Sequence, residues 1–220
     1  MGALLLVTGV GTNLGKTHLA EALLGAWSGP GTVVGYKPIE SGVSDGAPTD
    51  QGRLDAVSTF HVKHPRLELA DPVSPHLALR REGKQVDLEL FRAHVRHLRG
   101  QTELVVVELA GGAFSPVDET RTNADVLALW PGAPTILVAV DRLGVLHDVL
   151  ATLRALAHEA TPIRVDHIVL QSPEAPDAST GTNAAELTRL TQRPVTVISR
   201  GTSADPRIRE QASQLLRSLV

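Results

Sequence analysis

Gly9-Val10-Gly11-Thr12-Asn13-Leu14-Gly15-Lys16-Thr17 decides how this chain is read. The stretch follows a short apolar run, residues 3–8, and precedes Leu19, Leu23 and Leu24 at helical spacing, so it joins a first strand to a first helix. Glycines let consecutive backbone N–H groups turn inward on an anion, and the helix behind them adds the positive end of its dipole. Lys16 reaches terminal phosphates and the Thr17 hydroxyl suits Mg²⁺, which is the chemistry of a P-loop. The strict pattern has a glycine where this chain has Val10. Gly9 lies one residue earlier, so the loop is a variant. Nucleotide phosphates are expected along Asn13, Leu14, Gly15, Lys16, Thr17 and His18.

Outward from the loop, β-branched or leucine-rich runs recur at 32–36, 104–108, 135–140, 167–170 and 195–198. Their nearly continuous apolar character is that of strands covered on both faces, as in a parallel sheet. Leu146, Leu150, Leu153 and Leu156, and later Ile208, Leu215 and Leu219, have the spacing of crossover helices. The alternation predicts an α/β fold, a doubly wound and mostly parallel sheet with helices on both faces, of the P-loop NTPase type. Ligands then belong at the carboxyl ends of the strands. Two polar stretches, 42–52 and 171–181, are read as mobile loops on that face. No shift in composition marks a second domain, so residues 1–220 are expected to form one.

Composition removes several function classes. With 42% hydrophobic and 20% charged residues the chain is globular, neither disordered nor fibrous. A net charge of -3 provides no electrostatic excess for holding nucleic acid or an anionic membrane. Three Phe, two Trp and one Tyr are too few for base-stacking platforms. Without cysteine there is no disulfide framework, thiolate nucleophile or thiolate metal site. The first apolar run has no basic region before it and leads straight into the glycine loop, so a cytoplasmic setting without membrane contact is expected.

The next strand ends in Gly35-Tyr36-Lys37-Pro38-Ile39-Glu40-Ser41-Gly42 and brings a second lysine to the same sheet edge. A solvated surface lysine is the plain alternative. Pro38, however, confines Lys37 to extended backbone and so fixes how the strand exits. Glu108 closes the run Leu104-Val105-Val106-Val107, and a carboxylate in so apolar a setting is best explained by a cation at the sheet edge. An N-cap or surface carboxylate is the other reading.

Together with Pro72-Val73-Ser74-Pro75-His76 and Glu108-Leu109-Ala110-Gly111-Gly112, these segments resemble the dethiobiotin synthetases over most of the chain and in the right order. The resemblance implies an ATP- and Mg²⁺-dependent ring closure of 7,8-diaminopelargonate and carbon dioxide to dethiobiotin, with release of ADP and phosphate. It implies Lys37, Lys16 and Thr12 as catalytic groups, and Thr17, Asp55 and Glu108 around Mg²⁺, with Asp50 a nearby competitor of Asp55. Leu109, Ala110 and Gly111 are carried over to the nucleotide, as are Asp55 and Glu108. Gln171 and Ser172, with Ser199, Arg200 and Gly201, are carried over to its base. Ser41 and Lys37 would hold substrate, while Gly144 and His147 would bind its carboxylate across a homodimer interface that completes the site.

The chain also departs from that pattern. Gly11 and Asn13 stand where acidic residues are common, Leu109 where glycine is usual, and His147 where asparagine is usual. Glu40 either takes over a lost carboxylate role or is merely solvated. Gln171 replaces an asparagine that pairs with adenine, and its longer stem reads the base only with rearrangement. His61 and His64, and His94 and His97, lie three apart, but the second pair sits among Arg92, Arg96 and Arg99 on a basic, solvated face where metal binding is disfavoured. A regulatory ATPase of the MinD/ParA kind would carry a second lysine at Gly11; a noncatalytic nucleotide-binding relative is the third reading.

Overall fold

The computed structural model describes residues 1–44 and 46–220; Asp45, within the predicted 42–52 loop, lies outside them. Six parallel strands form the main sheet: β1 (Ala3–Gly9), β2 (Val33–Tyr36), β5 (Leu104–Glu108), β6 (Thr135–Val140), β7 (His167–Gln171) and β8 (Val195–Ile198). Their spatial order is β2-β5-β1-β6-β7-β8, with every neighbouring pair parallel. All six coincide with the apolar runs within a residue or two, and the alternation of side chains explains those runs. Leu4 and Leu6 face one core while Leu5 and Val7 face the other, and β5 divides in the same way.

The first core is covered by α3 (Pro75–Glu82), α4 (Leu88–Gln101), α5 (Asn123–Leu127), α6 (Val145–Ala157) and α7 (Asn183–Thr191). On the second lie α1 (Lys16–Gly25), α2 (Asp50–Val57) and α8 (Pro206–Leu219). The central strand β1 is buried on both faces and delivers the glycine loop at its carboxyl end, beside the end of β5.

A second, two-stranded parallel sheet pairs β3 (Ile39–Ser41) with β4 (Leu67–Leu69). Its strands are three residues long and carry Glu40 and Glu68 at the paired centre, so no apolar run announces them in sequence. The segment expected as a loop over 42–52 ends as helix. Asp50 opens α2, and the Thr49 hydroxyl caps it by accepting the Gly52 N–H at 2.9 Å. The 171–181 segment is tied to the end of β6: Asp141 accepts from the Gly181 N–H at 2.9 Å and from the Asn183 amide at 2.7 Å. No helix among the described residues is long and apolar enough to cross a membrane.

Candidate active site

The loop after β1 is held by its own backbone. Val10 N–H donates to Val138 at 3.0 Å, and the Gly9 carbonyl accepts from Ala113 at 2.8 Å. Gly15 adopts a left-handed conformation, φ 82°, at the start of α1, and a side chain there would also press on Gln171. The Gly111-Gly112 turn packs against the loop. A Cβ on Gly112 would lie 3.0 Å from the Gly11 nitrogen, so the absence of a side chain there lets the phosphate loop approach closely. Asn123, unremarked in sequence, secures this turn by donating to Ala110 O at 2.6 Å and Gly112 O at 2.9 Å.

Lys16 and Lys37 line one cleft of ≈ 160 Å³, together with Thr12, Asn13, Thr17, Ser41, Glu108, Ala110 and Gly111. Ammonium groups from the start of α1 and from the end of β2 thus reach a common space. Lys16 Nζ donates across its own loop to Gly11 O at 2.9 Å. Burial lowers its pKa to about 8, with the Lys37 charge acting in the same direction. Lys37, 5% exposed, donates to Glu108 Oε1 at 2.8 Å and to Asp50. Burial opposes its charge, but the Glu108 and Asp50 carboxylates outweigh burial and hold it above the usual lysine value.

Among the described residues, the carboxylates that line the cleft are Glu108, Asp50 and Glu40. Thr17 donates its hydroxyl to Glu108 Oε1 at 2.8 Å. Glu108 Oε2 is buried with no hydrogen-bond partner among the described residues, and burial pushes this carboxyl up. An orphaned carboxylate oxygen beside a threonine hydroxyl and a second carboxylate is a donor set of hard oxygens, which fits Mg²⁺.

Two sequence expectations are corrected here. Asp55 does not reach the cleft: it accepts from Gln51 Nε2 at 2.8 Å and lies 3.7 Å from His64 Nε2. Asp50, five residues earlier and so on a different face of the helix, faces Lys37 instead, because the helix starts at Asp50 and its first turn points at the sheet edge. Glu40 does not replace a P-loop acid. Its two oxygens accept the backbone N–H groups of Asp50 (2.6 Å) and Gln51 (3.2 Å), so it caps α2 together with Thr49. Gln51, fully buried, completes the clamp: its amide accepts from Lys37 N–H at 2.6 Å and donates to Gly35 O at 3.0 Å. The Thr-Asp pair at 49–50, a helix-start signal, marks Asp50 in the sequence.

The remaining expected residues lie farther out. Leu109 is buried in the core and offers only backbone to the edge. Leu14 packs on the second core. Gln171, 7% exposed, donates to Gly15 O at 3.1 Å and shares a 3.2 Å contact with His18 Nδ1, so its amide is committed to the phosphate loop. Ser172 N–H donates to Ile198 O at 2.9 Å, and Ser199 is bound through both backbone and hydroxyl to Gln211 of α8. Arg200 and Gly201 are exposed beside them. Gly144 and His147 are exposed at the start of α6, outside the cleft lining. Ser74 and Pro75 of the 72–76 segment begin α3, and Asp71, just before it, accepts from the Gly42 N–H at 3.0 Å. His64 and His94 share a 2.8 Å contact beneath Tyr36, and His97 stacks on His94.

The model of the AAA_26 family, an AAA domain, matches residues 4–199. An ATP-dependent dethiobiotin synthetase BioD of Caulobacter sp. (strain K31) is 39% identical over 184 residues, 79% of this chain and 78% of the relative. The chain belongs to the dethiobiotin synthetase family. A second synthetase of that name, from Anaeromyxobacter dehalogenans (strain 2CP-C), is 37% identical over 194 residues, 86% of each chain. The family is one of ATP-dependent ligases. A ParA family ATPase from Chlorobium tepidum TLS superposes with a TM-score of 0.56 over 99% of this chain and 94% of that one, at 13% identity; that likeness is one of fold.

Proposed function

We propose that this chain joins 7,8-diaminopelargonate and carbon dioxide into dethiobiotin at the expense of ATP. The observation that carries the reading is the convergence of Lys16 and Lys37 in one cleft with Thr17, Glu108 and Asp50. One substrate amine adds to carbon dioxide and loses a proton, giving a carbamate. A carbamate oxygen then attacks the γ-phosphorus as ADP leaves, forming a carbamic-phosphoric anhydride. The second amine attacks the anhydride carbon, phosphate departs and the ureido ring closes. Both reacting groups are anions, so fixed cations lower the barrier by holding them in line. Lys37 faces the carbamate and Lys16 the β- and γ-phosphates, with Thr12 and the loop N–H groups of 13–17 alongside them. Ser41 contacts substrate at the cleft wall.

Thr17, Glu108 and Asp50 would hold Mg²⁺, which when bound neutralises charge on the phosphate oxygens. Glu40 and Gln51 then act through Asp50, by fixing the turn that carries it. Gly144 and His147 bind the substrate carboxylate from the neighbouring protomer of a homodimer, and the reaction runs in the cytoplasm. Incubation with 7,8-diaminopelargonate, bicarbonate and Mg-ATP should yield dethiobiotin and phosphate in equal amounts. Phosphate release that ignores the diamine but needs a protein or membrane partner would establish a regulatory ATPase instead.

The lowered Lys16 pKa has a measurable sign. In the free protein Lys16 has lost about half of its protons by about pH 8, whereas an adjacent triphosphate favours the ammonium. Between about 8 and the ordinary 10.5, nucleotide binding should therefore take up a proton, and affinity should fall as pH rises. Calorimetry in buffers of different ionisation enthalpy reads the uptake directly; proton release in that window would refute it. Because Gln171 is committed to Gly15 and His18, base selectivity should also be weak, with ATP preferred over GTP and CTP by less than about tenfold in Kd. Discrimination as sharp as in asparagine-bearing relatives would show that the amide swings out to the base.

A further inference from the structure

Arg92, Arg96 and Arg99 lie on one stripe of α4, spaced i, i+4, i+7. Like charges so placed weaken a helix, and little acid offsets them. Arg92 meets Glu89 only at 3.4 Å on the solvent side, and Arg99 donates its Nε to the Gly2 carbonyl at 2.9 Å. Among the described residues no hydrogen bond or ion pair engages the Arg96 guanidinium. The basic face legible in the sequence is therefore not consumed by the fold.

That stripe borders a cavity of ≈ 440 Å³ at the edge of the sheet where the strands begin, opposite the phosphate loop. Ala3 and Leu4 open β1 there, and Pro134 immediately precedes β6. Among the described residues no Asp or Glu lines the cavity, although acids outnumber bases in the chain as a whole. Its other wall is apolar, built from Leu4, Leu129, Pro131 and Leu219 beside Trp130. Trp130 is 9% exposed, and its indole Nε1 is buried without a hydrogen-bond partner among the described residues. A buried indole N–H ordinarily finds an acceptor, and here the fold supplies none.

We propose that this cavity binds a small organic anion, its carboxylate or phosphate head held by Arg92, Arg96 and Arg99 and its apolar body laid along the Trp130 wall. Guanidinium forks match either head group bidentately, and the volume is that of a small-molecule site. The net charge of -3 gives no long-range pull on anions, so selection rests on the local fork and on the apolar wall together. A purely inorganic anion would leave that wall in water; an uncharged aliphatic would leave Arg96 without a partner and Arg92 with only its long contact to Glu89.

The test uses octanoate and octyl phosphate, with octanol and inorganic phosphate as body-only and head-only probes. Trp27→Phe leaves Trp130 as the sole indole, so its emission reports occupancy. Equilibrium dialysis on the unaltered protein supplies the same readout should that variant fold poorly. Saturable binding of octanoate or octyl phosphate is expected, weakened by roughly tenfold in the Arg92→Gln/Arg96→Gln double variant, with ligase rate and unfolding midpoint retained. The tighter of the two names the head group. Octanol binding as well as octanoate, a double variant that binds unchanged, displacement of the probe by Mg-ATP, or no saturable binding below micelle formation would each overturn the proposal.

Discussion

Lys37→Ala should lower the rate of dethiobiotin formation by about a thousandfold while ATP affinity stays within about threefold of the unaltered protein. The expected size comes from removing one preorganised cation from the point where the carbamate and the transferring phosphoryl group meet. Nucleotide affinity is spared because Lys16 and the loop N–H groups of 13–17 remain. Stability should fall as well, by about 3 kcal/mol, since Glu108 is left buried without its ion-pair partner. Rates should therefore be compared at saturating ATP, well below the unfolding midpoint. Lys37→Arg separates charge from geometry: a guanidinium keeps the charge but not the compact donor, and should recover stability more fully than turnover. Activity within about tenfold of the unaltered enzyme in Lys37→Ala would end the carbamate role assigned to this lysine.

Asp50→Asn should cost about a hundredfold in turnover and raise the Mg²⁺ concentration needed for half-maximal rate, whereas Asp55→Asn should change both by less than about threefold. The two aspartates lie on one short helix, so helix propensity and net charge change equally in both variants, and only placement differs. Asp50 contacts Lys37 in the cleft; Asp55, its side chain 43% exposed, contacts Gln51 and faces His64. Lys37 holds the Asp50 carboxyl below its ordinary value against the effect of burial, so Asp50 is already ionised at neutral pH and available to a cation. A Mg²⁺ titration of the two variants ranks them directly. The reverse ranking would return the metal to Asp55 and leave Asp50 a structural partner of Lys37.

Much of this molecule is local and therefore readable from the chain alone. The six main strands, the phosphate loop, the placing of Lys16 and Thr17 at the start of α1 and that of Lys37 and Glu108 at strand ends follow from short-range rules: apolar runs, glycine spacing, and proline after a strand. What local rules could not supply was the partner of each group. Asp50 rather than Asp55 meets Lys37 because the helix starts at Asp50, and that start is set by Glu40 from β3 and Gln51 against β2, contacts that need the tertiary fold. Gln171 had the right groups to read a base, yet packing brings it within reach of Gly15 and His18, 156 and 153 residues away, where its amide is spent. The pairing of β3 with β4 was hidden for the same reason, since three-residue strands centred on glutamates carry no periodic signal. A residue's chemistry belongs to its sequence position, but its pKa, its partners and the ligand it faces are set by what the folded chain lays against it.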